Sequence, residues 1–453
     1  MTDAVAGGEI AAPAETPAGI APASVGYRRF ALWLLLLVYM VNFLDRQVVN
    51  IVAEPIKNEL HLKDWQIGAM SGSAFAIFYS VLGIPLARAA ERFNRPLILA
   101  GCMAIWSGFT ALCGFTGNFV QLLGARLGVG IGEAGCSPSA HSMIADDTPL
   151  KDRSFALSFY SMGTPLGTLL GFALGGVVAD TWGWRAAFFV AGAPGILLAI
   201  AAALTLREPR RRLGAAHAAA KASAPSLMAT LAYLAGKRTF WLVALFAGLS
   251  AFIGYGQNAF IASFYLRNHA AEVTRLAAGF GLQSKGFLGF AIGGIGGTTG
   301  ALGSIFGGKL SGWAGGKDAR AFATLPAIAG LVWVPLLIVA IMAPSAAASL
   351  WLFALPAMLG TFWYGPVYGT AQSVVPPNMR ATTAAILIFI ITVIGLLLGP
   401  LCFGAFSDYL AGPMHMGSAV GLKWTFIAST VIVLPAVALL LMARSSIRED
   451  IVS

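Results

Sequence analysis

Twelve apolar segments of membrane-spanning length constrain this chain more than any other feature. They run over residues 30–53, 66–88, 96–117, 119–145, 154–179, 186–206, 239–266, 287–312, 321–343, 348–373, 381–406 and 424–443. Each reaches the roughly 20 helical residues that cross a hydrocarbon core. The expected fold is therefore an all-α membrane protein with twelve transmembrane helices. Only 11% of residues are charged against 58% hydrophobic, as in polytopic membrane proteins.

The charges that remain fix an orientation. With both termini assigned to the cytoplasm, twenty of the 29 Lys and Arg residues fall on that side, among them Arg28, Arg88, Arg95, Arg210, Arg211 and Arg212. Seven fall on the opposite loops, and Arg46 and Arg126 lie inside the membrane. This positive-inside bias accounts for the formal net charge of +10, and no basic face or recognition motif points to nucleic acid. Residues 1–26, rich in Ala, Pro and Gly, read as a disordered tail without the basic start and apolar core of a signal peptide. Cys102, Cys113, Cys136 and Cys402 sit in apolar runs with no metal or redox spacing, so neither a metal nor a disulfide framework is expected. The histidines are dispersed, and no nucleophile–base pair or phosphate-binding loop is present. Neither an enzyme nor a cofactor is expected.

The longest hydrophilic connection, 207–238, divides the spans six and six. The expected organisation is a first bundle over 27–206, a cytoplasmic linker over 207–238, a second bundle over 239–445 and a tail over 446–453. An internal repeat supports the division. Shifting the chain by 228 residues superposes Gly132 on Gly360, Pro138 on Pro366, Pro149 on Pro377, Gly171 on Gly399, Gly176 on Gly404 and Asp180 on Asp408.

Inside the apolar runs, Asp45 and Arg46 stand side by side in the first span, and Arg126 and Glu133 lie two turns apart on one face of the fourth. Ionised groups at such depth cost at least a few kcal/mol each, so they persist where paired, facing a wet cavity, or employed in transport. Asp45, Arg46 and Arg126 fall at similar depth with Glu133 nearer the middle, which makes an Asp45–Arg126 or a Glu133–Arg46 pair feasible. Asp45 and Glu133 are the candidate proton-carrying groups and Arg46 and Arg126 their charge partners, since an apolar site raises a carboxyl pKa while a nearby Arg lowers it. A static network that fixes helix packing is the structural alternative.

The second half offers aromatic and amide groups instead: Tyr255, Gln257 and Asn258 in the seventh span, and Thr361, Trp363, Tyr364 and Tyr368 in the tenth. With Phe43, these are the candidate cavity wall for an elongated apolar ligand carrying a polar end. Gly163, Gly167, Gly171 and Gly175 recur every four residues in the fifth span, and Gly289, Gly293 and Gly297 do so in the eighth. Close helix packing is the expected reason.

Two six-helix halves joined by a basic loop resemble the major facilitator superfamily, whose halves rock around a midplane site. The loop Ala87-Arg88-Ala89-Ala90-Glu91-Arg92-Phe93-Asn94-Arg95 resembles that superfamily's signature Gly-x-x-x-Asp-Arg-x-Gly-Arg, with Ala and Asn replacing the two glycines and Glu replacing Asp. The resemblance implies that Glu91, Arg92 and Arg95 form a conformational clamp, with Glu91 facing the start of the eleventh helix near Arg380. Within the superfamily, Phe43-Leu44-Asp45-Arg46, Arg126, Gly130-Ile131-Gly132-Glu133-Ala134 and Arg92-Phe93-Asn94-Arg95 resemble the spinster family of lipid transporters. That resemblance implies a proton-coupled transporter of lysophospholipid or sphingolipid-like molecules, with Asp45 and Glu133 sensing protons. With no organellar targeting segment and only a short tail, the expected location is a bacterial inner membrane, and a monomer is expected. A proton-coupled organic-anion symporter, in which Arg46 and Arg126 would bind a carboxylate, is the runner-up. A membrane sensor or scaffold is a third reading.

Overall fold

A computed structural model describes residues 24–209 and 225–452, and among them every regular element is helical. Helix α1 is Val25–Ile51, followed by a short helix Ala53–Glu59. Helix α2 spans 64–92 with a π-helical stretch at Ala69–Ser73. Helix α3 is Arg95–Cys113, α4 is broken into Phe119–Glu133 and Cys136–Asp147, α5 spans 150–181, and α6 is Trp184–Thr205. After the connection come α7, Arg238–Asn268, α8, Ser284–Gly315, and α9, Ala321–Met342. Helix α10 is broken into Ala346–Leu359 and Tyr364–Ser373. Helix α11 spans 380–411 with a π-helical stretch at Thr392–Leu398, and α12 spans 418–450.

Ten helices among the described residues are long and apolar enough to cross a membrane. The expected spans at 66–88 and 119–145 are helical but fall outside that group; α2 carries a π-helical stretch, and α4 is interrupted just after Glu133. Three short helices escaped the sequence: Ala53–Glu59, Ala270–Gly279 and Leu227–Ala235, the last inside the expected linker. Residues 1–23 of the expected tail lie outside the described residues, and its last residues are not a tail, because Ser24 caps α1 by accepting from the Tyr27 N–H.

The glycines explain how closely the helices approach. Side chains at Gly167 and Gly171 would collide with the α1 backbone at Met40 and Leu44, so the glycine stripe of α5 seats α1. Its other flank lies along α8, the most extensive contact between the halves, where Gly289 faces the Phe172 carbonyl. On the opposite side α2 lies along α11, and their π-helical stretches face one another. There the Ser73 hydroxyl donates to the Leu397 carbonyl at 2.6 Å. A π turn shifts the hydrogen-bond ladder by one residue and leaves a carbonyl for such a partner.

Candidate functional site

Consecutive residues on a helix point about 100° apart, so Asp45 and Arg46 leave α1 in different directions. Asp45 turns toward α3 and α4, where it accepts from the Thr110 hydroxyl at 2.5 Å and faces Arg126 Nη1 at 3.5 Å. Arg46 turns toward α2 and α4, donating to Glu133 Oε2 from Nε at 2.7 Å and from Nη2 at 2.6 Å. Both pairings that depth made feasible are therefore present together. Gly128, Gly130 and Gly132 press α4 against Phe109, Phe75 and Trp106, which brings Glu133 within reach of α1.

The two pairs are not equivalent. Asp45, Arg126 and Glu133 are each 1% exposed, whereas the Arg46 side chain keeps 19% of its surface open. The Arg46 guanidinium lies over the rings of Phe75, Phe43 and Tyr79 at 4.3, 5.0 and 5.4 Å. Cation–π contact on one face and a carboxylate at the edge hold it without complete desolvation. Arg46 is thus the member of the network that keeps an open surface.

Beside this network lies a cavity of about 360 Å³ reaching from the interface of the halves into the second half. Phe43, Tyr255, Gln257, Asn258, Thr361, Trp363 and Tyr364 line it as the sequence suggested. Tyr368 does not line it; its ring stacks beside that of Tyr364, the centroids 6.4 Å apart. Tyr364 in turn stacks on Trp363 at 4.3 Å. The break in α10 between Leu359 and Tyr364 places this ladder at the cavity edge. No charged side chain lines the cavity among the described residues, and Gln47, Gln257 and Asn258 bring amide groups to its wall. There the Gln47 side-chain carbonyl accepts from Asn258 at 2.9 Å and from Asn50 at 3.0 Å, joining the halves. Gln47, Thr164, Thr168 and Trp333 also line the cavity and were missed, because nothing local distinguishes them from packing residues. The Gln257 amide is occupied by the Ser429 hydroxyl at 3.1 Å.

Outside the membrane core, the face opposite the termini is tied shut. Arg267 at the end of α7 donates to Glu54 Oε2 at 2.9 Å and to both Asp64 oxygens at 2.8 Å. Lys57 reaches Asp64 at 2.5 Å and the Ser407 hydroxyl donates to it at 2.7 Å. Burial pushes the Asp64 carboxyl up, but Arg267 and Lys57 overcome that and hold it at about 2. Among the described residues, every hydrogen bond and ion pair between the halves lies in this outer part or in the adjoining half of the membrane.

At the cytoplasmic ends, one member of the expected clamp, Arg95, has its partners described. Arg95 is buried within its own half, bound to Glu208, to Asp146 at 2.6 Å and to the Ser142 hydroxyl at 2.6 Å. It ties α3 to the end of α4 and to the segment after α6, and makes no bond to α11. The side chains of Glu91 and Arg92 lie outside the described residues.

Residues 35–400 match the family model described as Major Facilitator Superfamily. An MFS-type efflux pump of Mycolicibacterium smegmatis is 30% identical over 86% of this chain and 87% of its own length. A probable L-galactonate transporter of Escherichia coli is 31% identical, over 41% of each chain. The inward-facing, unoccupied crystal structure of a bacterial homologue of the human lysosomal transporter Spinster superposes with a TM-score of 0.85 at 31% identity, covering 95% of this chain and all of that one.

Proposed function

The chain belongs to the Major Facilitator Superfamily, and from that premise we propose a proton-coupled transporter of single-chain amphipathic lipids, such as a lysophospholipid, working by alternating access. It is a multi-pass membrane protein, and its setting in this reading is the bacterial inner membrane, where it acts as a monomer. The observation that carries the substrate class is the cavity: its wall is rich in aromatic side chains and, among the described residues, has no charged side chain. A small carboxylate needs converging charged or hydrogen-bonding groups in a compact site. Arg126 is sealed in the protein and Arg46 is engaged by Glu133 and three rings, so neither stands ready as a carboxylate ligand. The efflux-pump relative is compatible with an amphipathic cargo. The galactonate relative, matching under half of each chain, keeps the organic-anion alternative in the test.

Coupling in this reading runs through the two ion pairs. Protonating Glu133 frees Arg46 to swing toward the cavity, and protonating Asp45 weakens its hold on Arg126; both changes act on α1, which packs on α5 at the interface of the halves. Arg cannot carry the proton, so the carboxylates do.

The test uses purified protein in liposomes, comparing uptake of a fluorescent lysolipid with that of radiolabelled galactonate, with and without an imposed proton gradient. Lysolipid movement that depends on the gradient and is lost in Asp45→Asn is expected. Galactonate movement alone overturns the lipid reading and recasts Arg46 as a ligand.

A further inference from the structure

The internal repeat pairs Gly176 with Gly404 and Asp180 with Asp408, yet none of the four lines the cavity or joins the ion-pair network. All four meet the opposite half. Asp180, at the outer end of α5, accepts from Lys285 Nζ at 2.6 Å and from the Gly286 N–H at 2.7 Å, in the first turn of α8. Asp408, near the outer end of α11, accepts from the N–H groups of Asp64 and Trp65 at 3.0 and 2.9 Å, in the first turn of α2. One turn earlier on each helix, a side chain at Gly176 would strike the Lys285 carbonyl, and one at Gly404 the Asp64 carbonyl. The same Gly-x-x-x-Asp unit therefore docks on a helix start of the other half, once in each direction. Helix starts carry free N–H donors and a partial positive charge, so a carboxylate from the neighbouring half satisfies both at once.

We propose that Gly176-x-x-x-Asp180 and Gly404-x-x-x-Asp408 form a duplicated two-point latch that holds the outer face closed. The inference rests on the alternating-access reading. Each half locks its Asp onto the other half, and the glycine lets the carboxylate come near enough to reach the N–H groups. The two points differ in what surrounds them: Lys285 completes one, while at the other Arg267 and Lys57 hold Asp64 from the far side. Neither point touches the cavity, so the latch sets the balance of the two orientations without altering substrate contacts.

The experiment measures spin-label distances across the outer face in lipid nanodiscs. Labels at Phe115→Cys and Ser418→Cys, exposed in different halves, are placed in a Cys402→Ser background, the other native cysteines being buried. Asp180→Ala and Asp408→Ala are each expected to raise the outer-open to outer-closed ratio about five- to tenfold, the scale of a lost helix cap, and together to multiply. Asp180→Asn and Asp408→Asn, which keep one acceptor and the side-chain shape, give smaller shifts in the same direction and serve where an alanine variant fails to fold. A single variant without effect, or a double variant no more open than one of the singles, overturns the latch. If the parent moves between two distances when the pH is changed and the Asp variants match it, the latch falls while alternating access stands. If no variant and no pH populates a second distance, alternating access falls and the latch with it.

Discussion

A charge sealed inside a membrane protein is most exposed to mutation through its partner. Arg126→Ala leaves Asp45 buried with only the Thr110 hydroxyl, and removing one member of a buried pair costs about 3–5 kcal/mol. Asp45→Asn keeps the shape and the Thr110 bond, but it leaves the Arg126 guanidinium buried without its counter-charge, and Arg, unlike Asp, cannot shed its charge by changing protonation. Thermal melting in detergent should therefore fall below the parent's in both variants, and both should lose proton-driven transport; melting equal to the parent's would mean that the pair contributes nothing to stability. Asp64 behaves differently because Arg267 and Lys57 depress its carboxyl to about 2. A depressed carboxyl lends stability that is complete above its unfolded value of about 4 and lost as the pH falls toward the folded value. The melting difference between the parent and Asp64→Asn should stay flat from about pH 8 to 5 and shrink below about 4. An outer face that opens between pH 8 and 5 is thus not responding to Asp64. At this scale the sequence was informative for a simple reason: an ionised residue in an apolar run is conspicuous, which singled out Asp45, Arg46, Arg126 and Glu133. Asp64 and Arg267 were unremarked because, just outside the apolar runs, a charge needs no explanation.

At the scale of the helix, glycine decides which faces touch. Gly167→Val would drive a branched side chain into the Met40 carbonyl and part α5 from α1, and overpacking of this kind costs about 1–3 kcal/mol or more. Gly124→Ala, with open space around it, is expected to be neutral or slightly stabilising through helix propensity. Yield and melting of the two variants read the contrast, and equal losses would count against close packing. The four-residue spacing of small residues made the α5 face readable in advance. The breaks in α4 and α10 were not readable, although the repeat relating Gly132 to Gly360 passes within a few residues of both. Nor were the π stretches of α2 and α11, whose sequences Ala69–Ser73 and Thr392–Leu398 contain no proline. They follow from how two helices of different halves fit against each other.

At the scale of the molecule, the bonds between halves place the barrier outside and the cavity below it. A cysteine at Thr168, in the cavity wall, should react with a membrane-impermeant thiol reagent applied from the cytoplasmic side and be protected from the other. Arg267→Ala, which unties Glu54 and Asp64 from α7, should reverse part of that preference; unchanged one-sided labelling in the variant would rule out the charge cluster as an outer barrier. The sequence by itself determined that this chain is a bundle of spanning helices, its orientation, its duplication and which four charges must find partners. Those properties follow from hydropathy, charge count and repeat, which are local or summed along the chain. Tertiary structure alone decided that Arg46 takes Glu133 and Asp45 takes Arg126, that Gln47 and Thr168 join the aromatic wall, and that Asp180 and Asp408 cap helices of the opposite half. Each of these depends on which faces of two distant helices are brought into contact, and no residue spacing along one helix encodes the neighbour it will meet.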